Sequence, residues 1–170
     1  PKVAKAGYKN LICFSGNRRG LSEEEGLEQA VKALQPMVAL AEEHGVVLQM
    51  ELFNSIVDHP DYMADSSRWG IELARALNSP SFKLLYDIYH MQIMEGNLVA
   101  NIKENHQWYG HYHVAGVPGR NEPWEAQEIN YPAVMAAIES TGFNGYVALE
   151  YLFTTNKKES MARSFTEYIR

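Results

Sequence analysis

FKLLYDIYH, residues 82–90, is a run of apolar and β-favouring residues that closes on an acid, Asp87. Three other runs share its form: VVLQMELFN (46–54) carries Glu51, YGHYHVAG (109–116) carries His113, and GYVALEY (145–151) carries Glu150, each near its carboxyl end. Side chains from separate strands converge only if the strands are parallel neighbours opening at one common end. The recurrence is therefore a statement about architecture before it is one about chemistry.

Between these runs the apolar period lengthens to that of a helix. Residues 10–15 read as a first strand, followed by the turn-like pair Gly16 and Asn17. Ser22 and Glu25 then have the spacing of a capping box, which opens a helix to about His44, stopped by Gly45. Trp69, Leu73, Ala76 and Leu77 recur at helical spacing within 65–77, and further helices are expected at about 98–106, 131–140 and 157–168. The remaining strands are expected at 46–53, 82–89, 108–115 and 146–151. Five strands, each followed by a helix and without hairpin turns between them, imply right-handed βαβ crossovers and a parallel sheet.

Such a sheet is either an open doubly wound sheet or an arc of a (β/α)8 barrel. Gly16 in SGNRRG does not begin a G-x-G-x-x-G phosphate fingerprint, which counts against a dinucleotide fold. In barrels the reactive groups lie at the carboxyl ends of several strands, where Glu51, Asp87, His113 and Glu150 fall. A whole barrel takes about 250 residues, and this chain has 170. The expectation is a single barrel domain over residues 1–170 that lacks three N-terminal βα units, with PKVAKAGYKN as the tail of a helix leading into a strand. Exposed parallel edges would then drive association into homo-oligomers, or instability.

Composition agrees with an ordinary globular domain: 46% hydrophobic and 21% charged residues allow a sizeable core. No apolar run approaches the roughly 18 residues of a membrane span, and no charged-then-apolar leader is visible, so a cytoplasmic location without membrane contact is expected. The single cysteine, Cys13, rules out an internal disulfide, and its setting in NLICFSG reads as a buried strand thiol rather than a nucleophile. A net charge of −6 argues against a nucleic-acid surface, which needs a basic stripe, and favours a small polar substrate.

The runs MELFNS, DHPDYM, FKLLYDIYHMQIMEGN, GHYHVAGVPGRNEP, EINYPAVM and GYVALEY together resemble the hydroxypyruvate isomerase branch of the xylose isomerase-like sugar isomerase/epimerase superfamily. YDIYHMQIMEG and AGVPGRNEP are the most specific pieces, and the similarity extends from Leu11 to Tyr151. The resemblance implies a (β/α)8 TIM barrel with a divalent metal, and would make the visible strands the fourth to eighth.

It also implies roles for particular residues. Glu51, Asp87, His113 and Glu150 match the metal ligands, and three carboxylates with one imidazole suit Mn²⁺, Mg²⁺ or Co²⁺ better than structural zinc. Taken singly, each would be a polar strand end facing solvent; four in register argue otherwise. Glu51 and Glu150 match the glutamates that move protons in epimerase relatives, with Glu150 as base and Glu51 as its partner, the order depending on stereochemistry. His90 and Arg120 match substrate contacts, and the planar guanidinium suits a carboxylate; the bland alternatives are a packed histidine and a loop salt bridge. His111, two residues from His113, would share its strand face as a supporting or core histidine. Glu128 would order a loop or favour a helix dipole. Tyr86, Tyr89 and Met91 are expected to pack, Trp69 and Trp108 to lie in the core, and Trp124 to wall the pocket or a subunit contact.

The activity expected first is an isomerase interconverting hydroxypyruvate and tartronate semialdehyde through an enediolate. The alternatives are an epimerase, isomerase or lyase of a longer sugar or cyclitol at the same metal site, and a noncatalytic barrel fragment. A DNA-repair endonuclease is disfavoured, because it would need more metal ligands and a basic groove.

Overall fold

The capping box at Ser22 forms: its backbone N–H donates to Glu25 Oε2 at 2.8 Å, and Glu25 N–H donates to Ser22 Oγ at 3.1 Å. From it runs α2 (Glu23–Glu43). The computed structural model describes residues 1–124 and 126–167. In chain order the elements are α1 (Lys2–Lys5), β1 (Asn10–Cys13), α2, β2 (Val47–Glu51), α3 (Ser67–Leu77), β3 (Phe82–Asp87), α4 (Ile88–Met94), α5 (Leu98–Asn105), a 3₁₀ turn (His106–Trp108), β4 (Tyr109–Val114), α6 (Tyr131–Ser140), β5 (Tyr146–Leu149) and α7 (Lys157–Glu167).

All neighbouring strands pair in parallel, in the order β1-β2-β3-β4-β5. A doubly wound sheet reverses its strand order partway. Here the order never reverses, so right-handed crossovers put the helices on one face, as in a barrel. β1 and β5 are each paired on one side only among the described residues, and Leu11, Ile12 and Tyr146 on them are exposed.

Alternation along the strands separates core from site. Leu48 and Met50 of β2, Leu84 and Tyr86 of β3, and Tyr112 and Val114 of β4 are buried in one cluster with Leu34 and Val38 of α2 and Trp69 and Leu73 of α3. Each such side chain contributes about 1.5–3 kcal/mol when fully buried. Gly70 lets α3 approach closely: a Cβ there would stand 3.0 Å from both Leu52 and Leu84. The intervening residues Gln49, Glu51, Asp87, His111 and His113 belong to the other face of the sheet, which bears the site.

Three expectations are corrected. The strand expected through Tyr89 ends at Asp87, and residues 88–94 are helix. The Asp87 carboxylate accepts from His90 N–H at 3.2 Å and caps that helix, a signal masked by the β-favouring pair Ile88 and Tyr89. Trp108 is half-buried in the 3₁₀ turn before β4, with the Arg75 guanidinium 5.5 Å from its ring centroid. Cys13 is half-buried rather than buried because β1 is an edge strand, and burial still pushes its thiol up to about 12. The last helix was expected to reach Tyr168, which lies outside the described residues. Among the described residues no helix is long and apolar enough to cross a membrane.

Candidate active site

Sheet register assembles the four residues. Glu51 pairs with Leu85, so Asp87 stands two residues further along β3 on the same face; Asp87 pairs with His113, and His113 with Ala148, two residues before Glu150. One ligand atom from each of Glu51, Asp87, His113 and Glu150 lies within 4.8 Å of the others. His113 Nδ1 is 2.9 Å from Glu51 Oε1, 3.0 Å from Glu150 Oε2 and 3.8 Å from Asp87 Oδ2. Glu51, Asp87 and His113 are buried, whereas the Glu150 side chain is 47% exposed.

Burial alone would discharge His113, but hydrogen bonds to Glu150 and Glu51 and the surrounding carboxylate charges outweigh it and raise the imidazole to about 9. Burial raises the Asp87 carboxyl to about 7 against the pull of Arg120 and His113. The His113 hydrogen bond holds Glu150 at about 2, aided by the charges of His113 and Arg120. Three carboxylates thus converge on one imidazole nitrogen in a largely water-excluded place. An oxygen-rich set with one nitrogen and no thiolate fits a hard or borderline divalent cation.

Arg120 and His90 flank the cluster. The Arg120 guanidinium hydrogen-bonds Glu150, lies 3.5 Å from Asp87 Oδ2, and rests 5.3 Å from the Tyr89 ring centroid. Its backbone is left-handed at φ 56°, a conformation costly for a side-chain-bearing residue. The loop is fixed by a backbone bridge between Gly116 and Asn121 and by Leu152 N–H donating to Arg120 O at 2.7 Å. His90 is fully buried, which lowers its imidazole to about 3, and its Nε2 lies 3.6 Å from Asp87 Oδ2.

The remaining expected residues fall around this centre. The His111 ring lies 5.0 Å from that of His113, and burial lowers it to about 4. Glu128 accepts from Gln92 Nε2 at 3.1 Å and so ties the loop before α6 to α4. Tyr86 and Met91 pack in the core, whereas Tyr89 also donates its hydroxyl to Asp58 Oδ2 at 2.8 Å, more than packing. Trp124 lies against the Tyr151 ring and beneath the Arg163 guanidinium.

Sequence reasoning missed Asn54, Asp58 and an aromatic wall. Asn54 joins His90 to Asp58, and Phe53 stacks on His59 at 4.0 Å with its ring 4.9 Å from His90. DHPDYM was part of the resemblance, but nothing in its spacing shows that the loop folds back onto Tyr89 and His90 of α4. An open groove of about 910 Å³ runs past the centre, bordered by Asp58, His59, Arg120, Glu150, Tyr151 and Phe153.

Known proteins resemble this chain in sequence and in fold. The chain is 32% identical over 146 residues to the hydroxypyruvate isomerase of Escherichia coli, covering 85% of this chain and 56% of that protein. It is 34% identical over 108 residues to a 2-oxo-tetronate isomerase of Pectobacterium atrosepticum, covering 64% of this chain and 40% of that one. The chain thus spans about half the length of the curated relatives it matches. Among solved structures, a family 2 AP endonuclease from Brucella melitensis superposes with a TM-score of 0.90 at 26% identity, over 98% of this chain and 64% of that one. The E. coli 3-keto-D-glucoside 4-epimerase YcjR shares the fold with a TM-score of 0.80 at 21% identity, over 96% of this chain and 66% of that one. Residues 3–168 match the family model described as xylose isomerase-like TIM barrel, and the chain belongs to that family.

Proposed function

We propose that the chain carries the catalytic half of a divalent-metal isomerase acting on a small hydroxy-carbonyl acid, with hydroxypyruvate as substrate and tartronate semialdehyde as product. The observation that carries this reading is the convergence of Glu51, Asp87, His113 and Glu150 beside the Arg120 guanidinium. The isomerase names of the two relatives point the same way.

Glu51, Asp87, His113 and Glu150 would hold the cation. When bound, it supplies Lewis-acid polarisation of the substrate carbonyl. Glu150, ionised and open to the groove, takes a proton from C3 of hydroxypyruvate. The C–H electron pair forms the C2–C3 double bond of an enediolate as the carbonyl π pair moves onto oxygen. Glu51, buried 2.9 Å from His113 Nδ1, is the partner that relays to C2 a proton drawn from water, while Glu150 returns to water the proton it took. The hydroxyl on C3 becomes the aldehyde as its proton passes to the oxygen on C2, so the substrate is isomerised without net oxidation. Arg120 clamps the carboxylate. The net charge of −6 disfavours nucleic acid as the substrate.

A second reading, an epimerase or isomerase of a longer sugar, is favoured by the groove beyond the centre, where Asp58 and His59 offer further hydroxyl contacts. Turnover of hydroxypyruvate and of a ketohexose with Mn²⁺ separates the two. Preference for the acid, lost in Arg120→Ala, is expected; turnover of the ketohexose alone would transfer the assignment to the second reading.

A further inference from the structure

Asn54 sits just beyond β2 and is fully buried. Its Oδ1 accepts from the backbone N–H groups of Val57 and Asp58, both at 2.9 Å. Those partners can only donate, which fixes the orientation of the amide: the atom facing them is oxygen, and the other is the NH₂ group. The two NH₂ protons then go to Asp58 Oδ2 at 2.7 Å and to His90 Nδ1 at 2.7 Å. An amide NH₂ cannot accept, so His90 Nδ1 must. A proton on Nδ1 would point at another donor, which leaves the single imidazole proton on Nε2. That nitrogen is buried, has no hydrogen-bond partner among the described residues, and faces the cluster, 3.6 Å from Asp87 Oδ2.

We propose that Asn54 is a positioning residue that locks His90 as the neutral Nε2–H tautomer, presenting one uncharged donor to a substrate oxygen at the four-residue centre. The aromatic packing of Phe53, His59 and Tyr89 around the ring holds the direction of that donor. The substrate contact rests on the isomerase reading above, whereas the tautomer does not. A neutral donor stabilises an oxygen as it gains charge without adding a second cation beside Arg120. Asp58 takes part indirectly: it draws the second amide proton and receives the Tyr89 hydroxyl, so turning the amide over would leave the Val57 and Asp58 N–H groups and Asp58 Oδ2 all unmatched.

The test is a long-range ¹H–¹⁵N correlation of the substrate-free, ¹⁵N-histidine-labelled chain, assigned with His90→Gln. The expected wild-type signal has a pyrrole-type shift at Nε2 and a pyridine-type shift at Nδ1. The swap Asn54→Asp with Asp58→Asn keeps a hydrogen bond between the two positions but places an acceptor against Nδ1, and should move the proton there. In turnover assays the swap should lower kcat about 100-fold, in the range for losing one transition-state donor, with KM nearly unchanged. A wild-type imidazole protonated at Nδ1, or a proton that stays on Nε2 in the swap, overturns the proposal. Unchanged kcat with a moved proton overturns Asn54's catalytic relevance. An inactive wild type with the expected tautomer would sink the isomerase reading and leave the tautomer assignment standing.

Discussion

Nδ1 of His113 and Oε1 of Glu51 stand 2.9 Å apart although 62 residues separate them, and the strand between them contributes Asp87 to the same point. If this point is a cation site, removing one donor weakens it. Asp87→Asn and His113→Ala should each lower Mn²⁺ affinity by more than the roughly 10–100-fold typical of losing an outer hydrogen-bond partner. Isothermal titration checks this, and wild-type affinity in either variant would count against the assignment.

Arg120 reaches the centre from a loop and presents a planar fork to a carboxylate. Arg120→Lys keeps the charge but loses the fork. We expect KM for hydroxypyruvate to rise about tenfold, equivalent to roughly 1.4 kcal/mol, with a smaller change in kcat. An unchanged KM would show that the guanidinium serves Glu150 alone.

Gly116 permits that loop to close. A Cβ added there would stand 2.6 Å from the backbone oxygen of Glu122, which cannot swing away as a side chain could. Gly116→Ala should cost about 1–3 kcal/mol in chemical denaturation and raise KM by displacing Arg120. A variant as stable as wild type would show that the backbone yields freely.

Glu122 links the loop after β4 to the chain after β5, accepting from Thr154 N–H at 3.0 Å, Thr154 Oγ1 at 2.7 Å and Ser160 Oγ at 3.2 Å. Burial opposes its charge, but these hydrogen bonds prevail and hold the carboxyl at about 2, below the ordinary 4.5. A depressed folded pKa adds stability that is fully present above about 4.5 and is lost as pH falls through about 2. Glu122→Gln should lower Tm at neutral pH by about 3 °C and flatten the loss of Tm between those pH values. Parallel Tm curves for the two proteins would refute this.

The alternating strands and helices were legible because burial imposes period two on β2, β3 and β4 and helical spacing on α3. The convergence of Glu51, Asp87, His113 and Glu150 was legible for the same reason, as each lies at or within one residue of a strand's carboxyl end and register does the rest. α4 was not, since Ile88 and Tyr89 favour strands and only the Asp87 cap turns the chain. Asn54 and Asp58 were missed because their importance depends on a loop folding onto His90, a contact between residues 36 apart that no local pattern encodes.

The most direct test follows hydroxypyruvate by proton NMR in heavy water with the Mg²⁺-loaded chain and with Glu150→Gln. The account predicts tartronate semialdehyde carrying carbon-bound deuterium, formed by the wild type and slowed about 10²–10⁴-fold in the variant. Product without solvent deuterium at an exchangeable carbon and with full activity in Glu150→Gln, or no product from the folded, metal-loaded wild type, would contradict it.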